Sequence, residues 1–337
     1  MREKIKHFLE FLKLYPGRIG ITSHANADPD ALASSLAMCS IIRNFTSDSP
    51  SLIFPEGISK VSRRLLNYLN MDVEFCEDLK ENINALIIVD ASTLNQLGAL
   101  KSHIERFRGR VFLIDHHIPN QELIEFCYDS IIESEVATSV IVYKISKEIG
   151  VNLSKNELFL ILSGILFDTR RFTFASSTSL RVASEIIERG ISYTDVVNSL
   201  QQKMDLSEKI ARLKAAGRMK LYRLDNWLIV TTEVSSFESS AARALISLGA
   251  DVVFVASRKD NLVRITARCT NLFYEKTKVS VGQDILSKIG EMLGGSGGGH
   301  HLAGGATVQS DTLTALKECL ELLSKATNLN LKQIKVN

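Results

Sequence analysis

One short stretch of the chain combines an imidazole with two carboxylates. His24, Asp28 and Asp30 follow an apolar run at 18–22 that is typical of a strand, and they precede a small-residue helix at 31–42. In open α/β sheets, ligands bind at the carboxyl ends of strands. Nitrogen and oxygen donors spaced this tightly favour a divalent metal. The alternative is a helix N-terminus whose acids complement the helix dipole, and the stretch alone does not decide between the two.

Further acids occur where other apolar runs end. Asp90 closes one β-branched run, and Asp115 closes the next with His116 and His117 directly behind it. Because parallel strands end at the same edge of a sheet, we expect these side chains to converge. A single Asp after a strand is more often a turn or cap residue. That explanation would have to hold at three strand ends at once.

A fourth acid, Asp168, ends a predicted helix at 154–168 that is apolar almost all round and therefore buried. A carboxylate in such surroundings needs a partner or a metal. The alternative to a metal is a salt bridge to Arg170 or Arg171, because Arg is the usual partner for such acids.

Strand-like and helix-like segments alternate through the first part of the chain. Apolar runs predict strands at 18–23, 51–55, 85–91 and 110–115. Helical spacing predicts helices at 2–14 (closed by Pro16-Gly17), 30–44, 59–69, 135–149, 154–168 and 177–189. This alternation predicts an α/β fold with a doubly wound, mainly parallel sheet.

A change of pattern marks a second domain. Residues 191–218 are polar and helical, and we interpret them as a linker after a catalytic domain at 1–190. Beyond the linker, strand runs and helices alternate again, with a predicted hairpin turn at 258–261. The pattern predicts a smaller α/β C-terminal domain at 219–337, and we expect a cleft between the two domains.

Composition limits the class of protein. The 337 residues are 45% hydrophobic and 23% charged, as in soluble globular proteins of two domains. The net charge of +2 excludes the global basic field of a nonspecific nucleic-acid binder. Five scattered cysteines without a CxxC disfavour a disulfide framework or a thiolate zinc site. Lacking a signal-peptide pattern or an apolar run near the ~18 residues of a membrane span, the chain is expected to be cytoplasmic.

Taken in order, these motifs resemble those of the DHH phosphoesterase superfamily. The resemblance rests on His24-x3-Asp28-x-Asp30, Asp90 in Val-Asp-Ala-Ser, the triplet Asp115-His116-His117, Asp168-Thr169, and a C-terminal Gly297-Gly-Gly-His300 followed by Ala303-Gly-Gly305. The last motif is similar to the glycine-histidine motif of the DHH-associated domain. The superfamily includes RecJ-type exonucleases, nanoRNases that also act on phosphoadenosine phosphate, cyclic-dinucleotide phosphodiesterases and manganese inorganic pyrophosphatases.

The resemblance implies two divalent metal ions, with Mn²⁺ preferred over Mg²⁺ or Co²⁺. It assigns one ion to His24, Asp28 and Asp90, and the other to Asp30, Asp90, His116 and Asp168, so that Asp90 bridges the two. Two such ions stabilise the attacking and leaving oxygens of an in-line displacement. The resemblance further implies that Asp115 fixes a histidine tautomer and that His117 faces the scissile phosphate.

In the C-terminal domain the resemblance implies a substrate-binding set composed of Arg268, Gly298, Gly299, His300 and His301. Successive glycines can form a concave nest of N–H groups that binds anions, whereas the alternative is a flexible linker. Arg264 shares a sheet face with Arg268 because the two are an even number of residues apart on one strand. For Arg264 we prefer a solvated edge strand over a phosphate site.

We therefore expect a phosphodiesterase that hydrolyses short RNA or DNA oligonucleotides and also phosphoadenosine phosphate. Three alternatives remain: a RecJ-like single-strand exonuclease, a cyclic-dinucleotide phosphodiesterase and an inactive nucleic-acid-binding scaffold. Two domains without an added nucleic-acid-binding fold favour the compact nanoRNase branch. We expect no membrane partner, and a homodimer stays open.

Overall fold

The computed structural model describes residues 1–14, 18–46, 48–80, 82–118, 120–201, 204–260 and 262–334. The predicted helix stop at Pro16-Gly17 and the Asn261 end of the predicted hairpin turn lie outside these residues. The chain divides into two units, Met1–Gln202 and Lys203–Asn337. None of the helices within the described ranges is long and apolar enough to cross a membrane.

The first unit is built on a five-stranded sheet in which neighbouring strands are parallel. Its strands are β1 (Ile19–Thr22), β2 (Ser51–Ile53), β3 (Ala85–Val89), β4 (Arg110–Asp115) and β5 (Asp129–Ile132). The spatial order β2-β1-β3-β4-β5 reverses direction between β1 and β3. In doubly wound sheets, ligands bind in the crevice beyond the carboxyl ends of the strands at this reversal.

Helices connect these strands and cover both faces of the sheet. They are α1 (Arg2–Leu14), α2 (Pro29–Arg43), α3 (Lys60–Tyr68), a 3₁₀ segment (Leu94–Leu100), α4 (Lys101–Glu105), α5 (Gln121–Phe126), α6 (Thr138–Glu148), α7 (Lys155–Asp168), α8 (Ser177–Glu188) and α9 (Tyr193–Leu200). The start of α7 is a capping box in which Ser154 and Glu157 accept each other's backbone N–H groups.

Two hydrophobic cores hold this sheet from either side. Ile21 and Ile87 point into a core shared with α2, α6 and α7, whereas Leu86 and Leu113 point into a core formed with the 3₁₀ segment and α4. Because both faces are buried, the three central strands β1, β3 and β4 are apolar between their ends. Polar groups are therefore confined to the strand ends and the loops beyond them.

The second unit contains a seven-stranded mixed sheet in the order β10-β11-β9-β8-β7-β6-β12. Its strands are β6 (Lys220–Leu224), β7 (Trp227–Glu233), β8 (Val252–Lys259), β9 (Leu262–Cys269), β10 (Ser296–His300), β11 (Ala303–Val308) and β12 (Leu331–Ile334). Its helices are α10 (Leu206–Gly217), α11 (Glu238–Ser247), α12 (Asn271–Thr277), a π-helical segment (Val281–Leu286), α13 (Ser287–Met292) and α14 (Thr312–Thr327). The predicted α/β class is confirmed for both units.

Several elements differ from the sequence prediction. The run interpreted as a nest or a linker is the strand β10, which pairs with β11 in antiparallel register. The strands β5 and β12 were not predicted, because each is only four residues long and carries polar side chains. The polar stretch 191–218 holds two helices, and these belong to different units.

Candidate functional site

The polar segments of the first unit lie where three neighbouring strands end. The loop 23–28 follows β1, Asp90 follows β3, and Asp115 is the last residue of β4. Since β1 and β3 flank the reversal in strand order, these residues stand at the crevice where such sheets bind ligands. Asp168, the last residue of α7, reaches the same place from a helix.

The donor atoms form three overlapping groups: two clusters correspond to the expected ion sites, and the third group consists of Asp90, Asp115, His116 and His117. Donor atoms of His24, Asp28 and Asp90 lie within 4.8 Å of one another, and so do those of Asp30, His116 and Asp168. Asp90 Oδ2 is 3.7 Å from His24 Nε2, and Asp90 Oδ1 is 3.5 Å from His116 Nε2. The Asp90 carboxylate therefore presents one oxygen to a residue of each cluster.

Contacts on the far side of each ring fix the orientation of two histidines. His24 Nδ1 donates to the carbonyl oxygen of Ala25 at 2.9 Å, and His116 Nδ1 donates to that of Glu135 at 3.2 Å. A carbonyl oxygen only accepts, so each Nδ1 carries a proton and each Nε2 is left free as a donor atom for a metal. His116 Nε2 is also 3.6 Å from Asp168 Oδ2.

Asp30 is held by the N-terminus of α6. Its two oxygens accept the backbone N–H groups of Thr138 at 2.7 Å and Ser139 at 3.0 Å, and its side chain is fully buried. The Thr138 hydroxyl donates to Asp90 Oδ1 at 2.9 Å. Sequence reasoning missed these anchors. The one available signal was Ala137, the N-cap residue before α6, whose side chain cannot cap the helix.

A glycine in α7 makes room for Asp30. A Cβ added to Gly164 would lie 2.7 Å from Asp30 Oδ1 and 2.9 Å from Ser139 Oγ. Both separations are shorter than any ordinary carbon–oxygen contact. The absence of a side chain at this position therefore lets α7 approach the buried carboxylate.

The triplet after β4 divides into a buried acid and a half-exposed histidine. Asp115 Oδ1 accepts His117 Nδ1–H and the backbone N–H of His116, both at 2.8 Å, while its Oδ2 is buried without a partner in the described chain. The hydrogen bond to Asp115 raises the pKa of His117. His117 also lies 3.9 Å from Asp90 Oδ1, so its ring borders the clusters.

The acids of the two clusters repel one another. Burial and the neighbouring carboxylates of Asp30 and Asp28 raise the pKa of Asp90 well above its usual range, and they raise that of Asp168 to about 10. Burial lowers the pKa of His24, but Asp28 and Asp90 outweigh it and raise the value to about 9. A cation bound between these carboxylates would relieve the repulsion. The donor set and its electrostatics thus both fit divalent metal ions.

The anticipated alternative for Asp168 is not found. Among the described residues Asp168 makes no ion pair with Arg170 or Arg171, and the Arg170 guanidinium instead lies over the Phe174 ring.

A cavity of about 510 Å³ opens beside the clusters. Besides residues of the clusters, it is lined by Ala25, Glu56, Asn95, Gln96, Gly98 and His117. Sequence reasoning did not single out Glu56, Asn95 or Gln96, which lie in a loop and a 3₁₀ segment without a motif.

In the second unit, the glycines of β10 face two different environments, tightly packed backbone on one side of the strand and open space on the other. A Cβ on Gly297 would lie 1.9 Å from the carbonyl oxygen of Leu286, and one on Gly299 would lie 2.4 Å from that of Ala303. By contrast, a Cβ on Gly298 would meet nothing within 4 Å. Gly299 is therefore needed for close backbone packing, whereas Gly298 leaves one face of the hairpin open.

Arg268 and His300 share this open face. Ala303 of β11 is paired with Arg268 on one side and with His300 on the other, so the three side chains form one row across the sheet. Arg268 Nε is buried without a partner in the described chain. Burial lowers the pKa of Arg268, and so does Arg243 on α11, a second cation that sequence reasoning missed.

The substrate-binding role of His301 stays a prediction, whereas Arg264 differs from its expected environment. The His301 ring is exposed and stacks on Tyr274, with centroids 4.5 Å apart and planes 15° apart. Arg264 does not stand on an edge strand, because β9 is third in the sheet, between β11 and β8. The expected edge position of Arg264 is therefore wrong, whereas its side chain is exposed to solvent as expected.

Comparisons with known proteins bear on both units. Residues 18–165 match the family model described as "DHH family, N-terminal domain", and residues 236–329 match the "DHHA1 domain".

An uncharacterized protein of Methanocaldococcus jannaschii is 34% identical over 339 residues, which cover 98% of this chain and 99% of that protein. The "Bifunctional oligoribonuclease and PAP phosphatase NrnA" of Bacillus subtilis is 25% identical over 326 residues, covering 90% of this chain and 93% of that protein. An exopolyphosphatase-related protein from Bacteroides fragilis shares the fold, with a TM-score of 0.61 and 18% identity over 97% of both chains.

Proposed function

Because the chain belongs to the DHH phosphoesterase superfamily and carries a C-terminal DHHA1 domain, we propose that it is a two-metal phosphodiesterase that hydrolyses short oligonucleotides. The observation that carries the proposal is the pair of donor clusters that meet at Asp90. Each oxygen of this carboxylate faces a histidine nitrogen of a different cluster.

In this proposal His24, Asp28 and Asp90 hold one ion, and Asp30, Asp90, His116 and Asp168 hold the other. The donors are nitrogen and oxygen without thiolate, a set that suits Mn²⁺ and also accepts Mg²⁺ or Co²⁺. When bound, such ions lower the pKa of water and stabilise charge on a phosphate. Thr138, Ser139 and Gly164 keep the carboxylates in place for them.

His117 is proposed to act on the phosphate directly. Its Nδ1–H is held by Asp115, which leaves Nε2 to face the reacting groups. As the oxygen of water bonds to phosphorus and the bond to the leaving oxygen breaks, a protonated Nε2 donates its proton to that leaving oxygen. The attacking water loses one proton to solvent, and His117 takes up a proton from solvent before the next turnover. The hydrogen bond to Asp115 raises the pKa of His117, which favours the protonated ring.

The second unit is proposed to bind the substrate strand. Arg268 offers a guanidinium with a buried, unpartnered Nε, and His300 lies in the same row across the sheet as Arg268. Gly298 leaves the backbone of β10 accessible. Gly299 supports the hairpin by its close packing, and His301 does so by its stacking on Tyr274. The net charge of +2 favours short substrates, because long strands are normally bound by extended basic channels.

One assay separates the candidate substrates. With Mn²⁺ present, kcat/KM is compared for a ribodinucleotide, a ribopentanucleotide, a twenty-nucleotide RNA, matching DNA strands, phosphoadenosine phosphate and a cyclic dinucleotide. We expect the short RNAs to exceed the twenty-nucleotide strand by about tenfold or more. Phosphoadenosine phosphate is included because the Bacillus subtilis relative is described as a PAP phosphatase.

The proposal fails if none of these compounds is hydrolysed, which would favour the binding scaffold. Faster cleavage of the twenty-nucleotide DNA than of the dinucleotide would favour a RecJ-like exonuclease. A cyclic dinucleotide as the preferred substrate would favour the signalling phosphodiesterase.

A further inference from the structure

The open face of the hairpin extends beyond the row of Arg268. Successive residues of a strand alternate between faces, so the strand pairing defines three parallel rows on this side of the sheet. The rows are Arg268–Ala303–His300, Thr266–Gly305–Gly298 and Arg264–Thr307–Ser296. We call this surface the glycine face, because its middle row contains two glycines whose added Cβ atoms would meet almost nothing.

Arg264 lies at the far end of the glycine face, and it is exposed. It makes no ion pair with any residue in the described part of the chain. With Glu238, Thr266, Ser296 and Thr307, it lines a cavity of about 290 Å³. An unpaired guanidinium that shares a small cavity with three hydroxyl donors matches the needs of a phosphate group.

Glu238 is the one acid among the residues lining this cavity. One of its oxygens accepts the hydroxyl of the buried Ser257, which directs the carboxylate toward β8. Its other oxygen can accept a hydroxyl of a sugar beside the phosphate. The cavity therefore offers a cation, neutral donors and one acceptor, a combination that suits a nucleotide better than a free anion.

The spacing of the two arginines sets the length of strand they can hold. Four residues of an extended strand span about 14 Å. A stacked nucleic-acid strand advances about 3.4 Å per nucleotide. Even if the nucleic-acid strand is stretched to twice that rise, two nucleotides are therefore needed to span the distance from Arg268 to Arg264.

We propose that Arg264 binds a second phosphate of the substrate strand, at least two nucleotides away from the phosphate held by Arg268. This inference rests on the proposed function. A phosphorylated dinucleotide has only the scissile phosphate and a terminal one, so it has none left for Arg264. Arg264 then raises the affinity for tetra- and pentanucleotides and leaves dinucleotides unaffected.

The test compares Arg264→Gln with Arg258→Gln in the full-length chain. Arg258 is also an exposed arginine of the β8–β9 hairpin, but it alternates with Ser257 and points to the opposite face of the sheet. For a pentanucleotide, Arg264→Gln should raise KM about five- to tenfold with kcat unchanged, the loss expected for one charge-assisted contact. For a dinucleotide, KM should change less than about twofold. Arg258→Gln should leave both values unchanged.

Equilibrium binding of the same oligonucleotides, measured with a chelator present so that no cleavage occurs, gives a second readout. An equal effect of Arg264→Gln on both lengths, or no effect on either, overturns the inference. Length-selective loss of binding in a chain that hydrolyses nothing would refute the proposed function while supporting the role of Arg264. If no oligonucleotide binds at all, both are overturned.

Discussion

The two candidate sites are built by opposite means. In the first unit the functional groups are side chains, and other elements hold each of them from behind, as the N-terminus of α6 holds Asp30. In the second unit the proposed binding surface results from missing side chains, because Gly298 and Gly305 leave the sheet face open. Arg264 and Arg268 stand on this face without ion-pair partners among the described residues.

This difference matches two different physical requirements. Metal chemistry needs donor atoms held to within a fraction of an ångström, so every donor must be fixed by its neighbours. A surface that binds successive nucleotides must instead accept variable sugars and bases, and charge and open shape are sufficient for that. We therefore expect changes in the first site to reduce turnover, and changes in the second to weaken substrate binding by smaller factors.

The largest effect is expected at Asp90, where the two clusters meet. Asp90→Asn keeps the shape of the side chain but removes the charge that faces both histidines. We expect kcat in Mn²⁺ to fall about a thousandfold or more. Mn²⁺ should also raise the unfolding temperature of the unmodified chain, because a ligand stabilises the state that binds it. The variant should lose most of that increase.

Asp72→Asn provides the matched control, because Asp72 is an exposed acid outside the clusters. It should retain both the turnover and the Mn²⁺-induced rise in unfolding temperature. Unimpaired turnover of the Asp90 variant would show that the clusters do not share this carboxylate. The contrast between a fixed and an open site would then lose its main support.

The residues of the clusters could be predicted from sequence, whereas their anchors could not. Apolar runs followed by acids mark strand ends, and parallel strands bring those ends together. Asp30, however, is bound by backbone N–H groups of Thr138 and Ser139, more than a hundred residues away. That contact is set by the packing of α2 against α6, which no local pattern specifies. Only the uncapped Ala137 indicated that α6 needs an outside partner.

The glycine run shows the reverse situation. Glycine is depleted in strands, so the composition of 294–299 favours a nest or a linker over β10. Its strand conformation depends on pairing with β11 and on the π-helical segment Val281–Leu286, which packs directly against the backbone at Gly297. Side-chain patterns cannot report a contact made by backbone alone. The position of Arg264 inside the sheet was missed for the same reason.

An intermediate effect is expected for Gly164→Ala, which tests how rigidly the first site is held. The added Cβ would press on Asp30 Oδ1 at 2.7 Å and on Ser139 Oγ at 2.9 Å. We expect a loss of about 1–3 kcal/mol in the free energy of unfolding. Displacement of Asp30 should also lower kcat by about ten- to a hundredfold. Chemical denaturation and steady-state kinetics measure the two effects.

Gly217→Ala is the comparison, because Gly217 lies in α10 and an added Cβ there meets nothing within 4 Å. It should be neutral or stabilise the chain by up to about 1 kcal/mol. If Gly164→Ala kept normal stability and turnover, Asp30 could shift without consequence. The first site would then be no more rigid than the second.

The smallest effect is expected for Gly298→Ala, which tests whether the open face is used. Because its added Cβ meets nothing within 4 Å, the variant should keep the unfolding temperature of the unmodified chain. The methyl group should nevertheless raise KM for short RNA about threefold by keeping the strand from the backbone, with kcat unchanged. Gly305→Ala, in the same row of the glycine face, should act in the same way. Unchanged KM in both variants would mean that the substrate does not contact this row, and the openness of the second site would then have no functional meaning.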